Sequence, residues 1–156
     1  MQGFMQRAAE LAAISAAEGE VPVGAVVVKN GIIVGEGRNR RELSKNALSH
    51  AEIEAINNAC RTLGGWRLWQ CELFVTLEPC PMCAGAIINS RIKKVTFGAY
   101  DNKAGSFGSV INFNDLPYNH KPEISGGEYE NECAQLLSNF FADLREKRRN
   151  AVKNSL

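Results

Sequence analysis

The segments His50-Ala51-Glu52 and Pro79-Cys80-Pro81-Met82-Cys83 carry the strongest structural signal in this chain. One imidazole and two thiols supply three ligands for Zn²⁺ and leave the fourth tetrahedral position open, as in catalytic rather than structural zinc sites. Pro79 and Pro81 are tolerated where a helix begins, so we predict that a helix starts around Pro81. The Glu52 carboxylate, two residues after the histidine, would then be available to move protons.

The spacing of these residues also predicts how they meet. Cys80 and Cys83 are three residues apart at a helix start and therefore lie on one face. The positive end of the helix dipole favours thiolate over thiol there. Residues two apart in a regular helix point in different directions, so His50 must lie off the helix start while Glu52 is already in the first turn. We therefore predict that two helix N-termini converge on the metal.

The sequence around these segments predicts alternating helices and strands. Asn30-Gly31 is a preferred hairpin turn between two apolar runs. Helices are predicted over 4–18, from near Ser49 to Gly64-Gly65, from about Pro81, and after Gly126-Gly127. Strands are predicted over 21–28, 32–35, 71–76 and 94–99, with a weak strand near 122–125, and 101–109 is predicted to be a glycine-rich loop. Such alternation indicates a layered α/β domain.

Length and composition fit one globular domain covering residues 1–156. The chain is 45% apolar and 22% charged, and no stretch approaches the roughly 20 apolar residues that span a bilayer, so we expect no membrane partner. The odd number of cysteines, five, fits a reducing, cytoplasmic location better than a disulfide framework. A net charge of +1 says little about partners. The basic clusters at 38–41 and 145–153 could contact phosphates or be solvated surface.

The zinc pattern has a structural alternative, in which a further cysteine completes a closed Cys₃His site. The candidates are Cys60, Cys71 and Cys133, each of which also suits a small core position. Such a chain would be a zinc-stabilised RNA-binding or scaffold protein without enzymatic activity. The proline before Cys80 and the H-x-E segment favour catalysis instead. His120 lies in a polar, proline-flanked segment, and we interpret it as a surface histidine.

The H-x-E and P-C-x-x-C segments together resemble the pattern of zinc-dependent nucleobase deaminases, and this resemblance implies hydrolytic deamination. Zn²⁺ lowers the pKa of water to near neutrality, which prepares it to attack an amidine carbon that carries an exocyclic amine. Glu52 would take the proton from water and return protons to the ring nitrogen and to the departing ammonia.

Longer segments resemble the bacterial tRNA-specific adenosine deaminases, in the cytidine and deoxycytidylate deaminase superfamily. The resemblance covers nearly the whole chain and is carried by the residues at 20–26, 50–52, 73–86, 90–92, 97–99, 119–120, 132–137 and 140–141. It implies a three-layer α/β/α cytidine deaminase-like fold with a five-stranded mixed sheet, one Zn²⁺ per subunit and a homodimer. It also implies hydrolysis of the wobble adenosine in a tRNA anticodon loop to inosine, chiefly in arginine tRNA with an ACG anticodon.

The resemblance assigns substrate contacts by position. It implies that Asn39 hydrogen-bonds the target nucleoside, that Val21 packs on its base and that Asp101 contacts the backbone or sugar of the loop. The last helix would meet flanking nucleotides through Phe140, Phe141 and Arg145. Each residue also has a plain alternative: Asn39 could end the hairpin, Asp101 could form a turn, and one of the two phenylalanines could lie in the core.

The segment before His50 departs from the family pattern, and a competing activity is also possible. The family usually has Pro-Thr-Ala before His-Ala-Glu, whereas this chain has Ala47-Leu48-Ser49, where Ser49 could cap the helix. The departure bears on one wall of the pocket and not on the zinc ligands. A deaminase of a free base or nucleoside, of the guanine or cytosine type, would share the same four catalytic and metal-binding residues.

Overall fold

The computed structural model describes residues 1–155 and has an α/β fold. Its helices are α1 (Gly3–Ala17), α2 (Ala51–Leu63), α3 (Pro81–Asn89) and α4 (Glu130–Ser155). Its strands are β1 (Gly24–Lys29), β2 (Ile32–Arg38), β3 (Cys71–Leu77), β4 (Lys94–Ala99) and β5 (Glu123–Gly126). Each predicted helix and strand is present, in the predicted order.

The five strands form one mixed sheet in the order β2-β1-β3-β4-β5. Strand β1 is antiparallel to both β2 and β3, whereas β3, β4 and β5 are parallel. The larger core cluster joins α2 and α3 to one sheet face, and two smaller clusters join α1 and α4 to the other. The three-layer α/β/α arrangement and the mixed sheet are thus confirmed.

The hairpin between β1 and β2 forms at the predicted turn. Asn30 and Gly31 both have positive φ, 51° and 75°, as a type I′ turn requires. Strand β2 continues to Arg38, beyond the predicted end at Gly35, because helix α2 lies directly on it. A Cβ at Gly37 would collide with the backbone of Ala51 and Ala55. Glycine in this strand therefore permits close packing of the helix that begins the candidate site.

The apolar stripe of helix α4 is only partly covered by the rest of the chain. Its residues are Cys133, Leu136, Leu137, Phe140, Phe141 and Leu144, and Cys133 is the buried one within the described part of the helix. The remaining stripe residues are half-buried, except that Phe141 is exposed; the half-buried set is Leu136, Leu137, Phe140 and Leu144. Periodicity identified the apolar face correctly but could not show how far one chain covers it.

Two further observations complete the architecture. A short 3₁₀ turn, Phe113–Asp115, was not predicted and lies in the long connection between β4 and β5.

Within residues 1–155, no helix combines the length and apolar composition that crossing a lipid bilayer requires.

Candidate active site

Two helix starts position the candidate site. His50 is the N-cap of α2 with extended backbone (φ −81°, ψ 153°), and Glu52 lies in the first turn of that helix. Cys80 is the N-cap of α3, and Cys83 lies within its first turns. The predicted convergence of two helix N-termini is confirmed, since the ligand atoms of His50, Cys80 and Cys83 lie within 4.8 Å of one another.

The three side chains have the geometry of a metal-binding group. His50 Nδ1 lies 3.6 Å from the Sγ atoms of both Cys80 and Cys83. A tetrahedral zinc site with ordinary Zn–N and Zn–S bond lengths has N···S edges of about 3.6 Å. The donor set of one imidazole nitrogen and two sulfurs also matches the preference of Zn²⁺. These residues could therefore hold the ion and leave one coordination position for a water or substrate.

The contact between the two thiols shifts their pKa values in opposite directions. The hydrogen bond with Cys83 lowers the pKa of Cys80 to about 4, and burial opposes this shift. The same contact, together with burial, raises the pKa of Cys83. The pKa of His50 is raised, chiefly by its hydrogen bond with Cys80. Binding of a metal ion would release the remaining thiol proton.

Glu52 is the buried carboxyl group beside this cluster. It lies in the first turn of α2, and the residue is 4% exposed. Burial raises the pKa of Glu52 to about 7, while the nearby His50 acts in the opposite direction. A carboxyl group in this position can accept and return protons close to neutral pH.

A cavity of about 230 Å³ opens onto the cluster. It brings Val21, Asn39 and Asp101 together with His50 and Glu52. Its other lining residues are Val23, Arg41, Ala51, Leu77, Glu78, Cys80 and Ala104. The volume is below the roughly 300–1,000 Å³ of sites for drug-sized ligands, so it suits a single base.

Asn39 and Asp101 line the cavity and also organise the local backbone. The side-chain Nδ2 of Asn39 donates to the Val21 carbonyl at 3.1 Å, and its side-chain Oδ1 accepts from the Arg41 backbone amide at 3.3 Å. Asp101 Oδ1 accepts from the amides of Lys103 and Ala104 at 3.0 and 3.3 Å. Both residues therefore have the local structural roles considered as alternatives, and both also line the cavity.

The three α4 residues lie outside this cavity. Phe140 lines a separate cavity between α1 and α4. Phe141 is exposed and stands edge-on to Phe140, with 5.4 Å between the ring centroids. Arg145 is exposed further along the helix. The structure thus separates the predicted RNA-contacting residues into a cavity group and an α4 group.

Several lining residues were missed by the sequence interpretation. Glu78 is 2% exposed and lies between the end of β3 and Pro79. Val23, Leu77 and Ala104 supply apolar wall, and Arg41 supplies a positive charge at the mouth. The one signal that could have identified Glu78 is a carboxylate at the end of a buried apolar strand, since such a group needs nearby donors.

The alternatives for a fourth protein ligand find no support in the described residues. Within residues 1–155, the metal-capable group consists of His50 and the two nearby cysteines, without Cys60, Cys71 or Cys133. Burial raises the pKa of each of those three thiols, to about 11 for Cys133. His120 Nε2 instead lies 2.6 Å from the Ile92 carbonyl oxygen. The suggested Ser49 cap is wrong, because His50 occupies the N-cap.

A larger cavity of about 650 Å³ lies away from the cluster, between α1, β2 and α2. It is lined by four arginines, but acidic neighbours neutralise most of their charge. Arg7 pairs with Glu10 and Glu36, and Arg38 pairs with Glu18. None of the three metal-capable residues is among its described lining residues, so the smaller cavity is the candidate active site.

Comparison with known proteins agrees with this geometry. The family model of the MafB19-like deaminases matches residues 1–145. A tRNA-specific adenosine deaminase of Bacillus subtilis (strain 168) is 46% identical over 152 residues, which are 97% of this chain and 94% of that protein.

Two solved structures are also similar. One, from studies of A-to-I editing by tRNA:A34 deaminases at the wobble position of transfer RNA, has a TM-score of 0.84 and 40% identity and covers 86% of this chain and 98% of its own. The guanine deaminase of Bacillus subtilis has a TM-score of 0.60 and 33% identity and covers 76% of this chain and 88% of its own. The chain therefore belongs to the MafB19-like deaminases and, with its curated relatives, to the family of tRNA-specific adenosine deaminases.

Proposed function

We propose that this protein hydrolyses the wobble adenosine of a tRNA anticodon stem-loop to inosine, chiefly in arginine tRNA with an ACG anticodon. The observation that carries the proposal is the position of the buried carboxyl group of Glu52. It lies beside a group of three possible metal ligands, in a cavity of the size of one nucleobase. Membership of the tRNA-specific adenosine deaminases supports the choice of substrate.

The proposed cofactor is one Zn²⁺ per subunit, held by His50, Cys80 and Cys83. The N···S separations of 3.6 Å support this assignment, because they match the edges of a tetrahedral zinc site. The two helix N-termini favour the thiolate forms that a metal requires. When bound, the ion supplies a positive charge that makes water nucleophilic at neutral pH.

Glu52 is the proposed catalytic residue, as the group that moves protons. It takes one proton from the attacking water and delivers it to N1 of the adenine ring. It then carries the second proton of that water to the exocyclic amine, which leaves as ammonia, so adenosine and water give inosine and ammonia. The burial of Glu52 supports this role, because a water-excluded carboxyl group exchanges protons with substrate rather than with solvent.

The cavity walls are proposed to hold the target nucleoside. A base in a loop must leave its stack to reach such a site. Val21 would pack on the face of the flipped base, Asn39 would hydrogen-bond it, and Asp101 would contact the backbone or sugar. All three residues line the cavity, which supports this proposal.

Helix α4 is proposed to contact the nucleotides on either side of the flipped base. Phe140 and Phe141 offer aromatic surface for stacking, and exposed Arg145 offers a charge for phosphate. Their separation from the cavity supports contact with flanking nucleotides rather than with the reacting base.

The proposed active species is a cytoplasmic homodimer of single-domain subunits covering residues 1–156. The joining of five strands into one sheet supports the single domain. Large apolar side chains exposed on one chain support a partner surface, among them Trp66, Trp69, Val110, Ile111 and Tyr118. The free thiols of all five cysteines suit a reducing compartment, where the substrate tRNA is also found.

A free-base deaminase of the guanine type is the second candidate, favoured by the similarity to the guanine deaminase of Bacillus subtilis. Incubation of the zinc-loaded protein with arginine tRNA bearing an ACG anticodon separates the two. Free adenosine, cytidine and guanine run in parallel, and products are measured by nucleoside mass spectrometry. Inosine in the tRNA alone supports the proposal, whereas conversion of guanine with unmodified tRNA supports the second candidate.

A further inference from the structure

Glu78 is a buried carboxylate that accepts hydrogen bonds from a single loop. Its Oε1 accepts from the Asp101 amide at 3.1 Å and from the Ser109 hydroxyl. Its Oε2 accepts from the amides of Phe107 and Ser109 at 3.2 and 3.1 Å. Four hydrogen bonds thus join one side chain to both ends of the 101–109 loop.

The surroundings of Glu78 explain why this contact is strong. The residue is 2% exposed, and the ion pairs among the described residues do not include it. A buried carboxylate without a cation is costly unless donors replace its hydration. The amides of the loop are those donors, and losing the carboxylate would leave them buried without an acceptor.

The loop is also packed tightly against Glu78 and the segment that leads to Cys80. The Ser106 amide donates to the Pro79 carbonyl at 2.9 Å. A Cβ at Gly105 would collide with the Glu78 carboxyl group. Asp101 and Ala104 of this loop line the active-site cavity. The position of that wall is therefore tied to Glu78.

A second loop at the cavity has a comparable anchor in Glu20, which is also 2% exposed. Its two carboxylate oxygens accept from the amides of Glu42 and Leu43 at 3.0 and 2.9 Å. These residues belong to the loop between Asn39 and His50. The chain thus contains a second buried carboxylate of equal exposure that holds a different loop, which provides a matched control.

We propose that Glu78 is a positioning residue that holds the 101–109 loop so that Asp101 faces the substrate cavity. Replacing its carboxylate raises KM through misplacement of Asp101 and leaves the metal-binding group in place. The identity of the substrate in this inference rests on the proposed function, whereas the anchoring of the loop does not.

Amide hydrogen exchange on the zinc-loaded chain tests the anchor without any substrate. In Glu78→Gln, one of the two accepting oxygens becomes an NH₂ donor, so either the Asp101 amide or the amides of Phe107 and Ser109 lose their acceptor, and amides of the loop should exchange at least about tenfold faster. The amides of Glu42 and Leu43 should be unchanged, and Glu20→Gln should give the reverse pattern. Unchanged exchange in the 101–109 loop of Glu78→Gln would overturn the proposal.

Steady-state kinetics test the consequence for substrate, using whichever compound the wild-type protein deaminates. Glu78→Gln should raise KM about tenfold or more with a smaller change in kcat and an unchanged zinc content. Its effect should be far from additive with Asp101→Ala, whereas Glu20→Gln and Asp101→Ala should be additive. Additive effects of Glu78→Gln and Asp101→Ala would contradict positioning through Asp101.

Two further variants separate positioning from general loss of stability. Val95→Ala removes core volume in β4 at a residue that is 0% exposed and should lower Tm without changing KM. Ser109→Ala deletes one of the four hydrogen bonds and should shift KM in the same direction by less, even if Glu78→Gln fails to fold. An unchanged KM in Ser109→Ala together with an unfolded Glu78→Gln would reject the proposal. If tRNA is not the substrate, the exchange experiment still decides the anchoring.

Discussion

Glu52 and Glu54 are two residues apart on α2, so they point in different directions and face different surroundings. Glu52 lines the active-site cavity and is buried, whereas Glu54 pairs with Arg40 at 3.1 Å and lines the larger, charged cavity. The chemistry proposed for Glu52 requires a carboxyl group that gains and loses a proton. An amide of the same shape cannot do so.

Glu52→Gln should therefore lose at least about 10²-fold in kcat, which is the lower end of the contribution of general acid–base catalysis. Its zinc content, measured by plasma mass spectrometry, should equal that of wild type, because the three ligands are untouched. Glu54→Gln is the matched control and should keep kcat within a few-fold. Substantial turnover by Glu52→Gln would reject the assigned role.

The residues proposed to carry the chemistry could be brought together from sequence because helix starts constrain them. Proline at the start of α3 and H-x-E at the start of α2 indicated both the elements and their convergence. Glu78 and Glu20 could not be identified in this way. Their partners are backbone amides of loops remote in sequence, and backbone amides leave no residue-type signal.

Helix α2 packs directly on the hairpin because glycine in β2 lets the two backbones approach closely. A Cβ at Gly37 would meet the backbone of Ala51 and Ala55, within the first turns of the helix that carries His50 and Glu52. The sequence interpretation ended the strand at Gly35, and glycine is in general disfavoured in strand interiors. The need for close approach overrides that preference here.

Gly37→Ala should destabilise the fold by about 1–3 kcal/mol through overpacking, and it should lower activity as well. The expected fall in Tm is roughly 2–4 °C per kcal/mol for a chain of this size. Gly65→Ala is the control, since a Cβ there meets nothing within 4 Å. Equal Tm values for the two variants in thermal unfolding would contradict the close contact.

A second link between elements joins α1 to β2 and depends on pH. Arg7 donates two hydrogen bonds to Glu36, and this contact holds the pKa of Glu36 below its ordinary value. A carboxyl group with a lowered folded-state pKa contributes stability above its unfolded pKa. That contribution is lost as pH falls through the folded value.

Glu36→Gln should therefore cost about 0.2–1 kcal/mol at pH 7, the range for partly exposed ion pairs, and close to nothing below the folded pKa. Urea unfolding of both proteins at neutral and at strongly acidic pH measures the difference. Glu123→Gln on exposed β5 serves as the control. A cost that stays constant with pH would show that the pair contributes no electrostatic stability.

The distribution of charge over the surface says more about RNA binding than the net charge of +1 does. Basic residues concentrate near the end of α4, while the arginines around the larger cavity are mostly paired with glutamates. Phosphate contacts through α4 would make RNA binding depend strongly on salt, because counterions are released.

Arg145→Ala should weaken binding of an anticodon stem-loop and reduce the slope of log affinity against log salt concentration by about 1. Fluorescence anisotropy at several salt concentrations measures this slope. Arg61→Ala is the control, since Arg61 is also exposed but lines the larger cavity. An unchanged slope in Arg145→Ala would place the RNA elsewhere on the surface.

The layered fold was predictable because alternation of strands and helices leaves few topologies, whereas the extent of burial on α4 was not. Leu136 and Leu137 have the spacing of a core stripe but are only half-buried in one chain. Apolar periodicity identifies the face that seeks cover without specifying what covers it. Neighbouring elements, or a second subunit, decide that outcome.

The most direct test of the whole account is the position and chemistry of the product in tRNA. Zinc-loaded wild type and Glu52→Gln are each incubated with arginine tRNA bearing an ACG anticodon, and the anticodon fragment is mapped by mass spectrometry. We expect inosine at the wobble position with wild type, none at other adenosines, and none with Glu52→Gln. Unmodified tRNA with wild type, or equal inosine formation by Glu52→Gln, would contradict it.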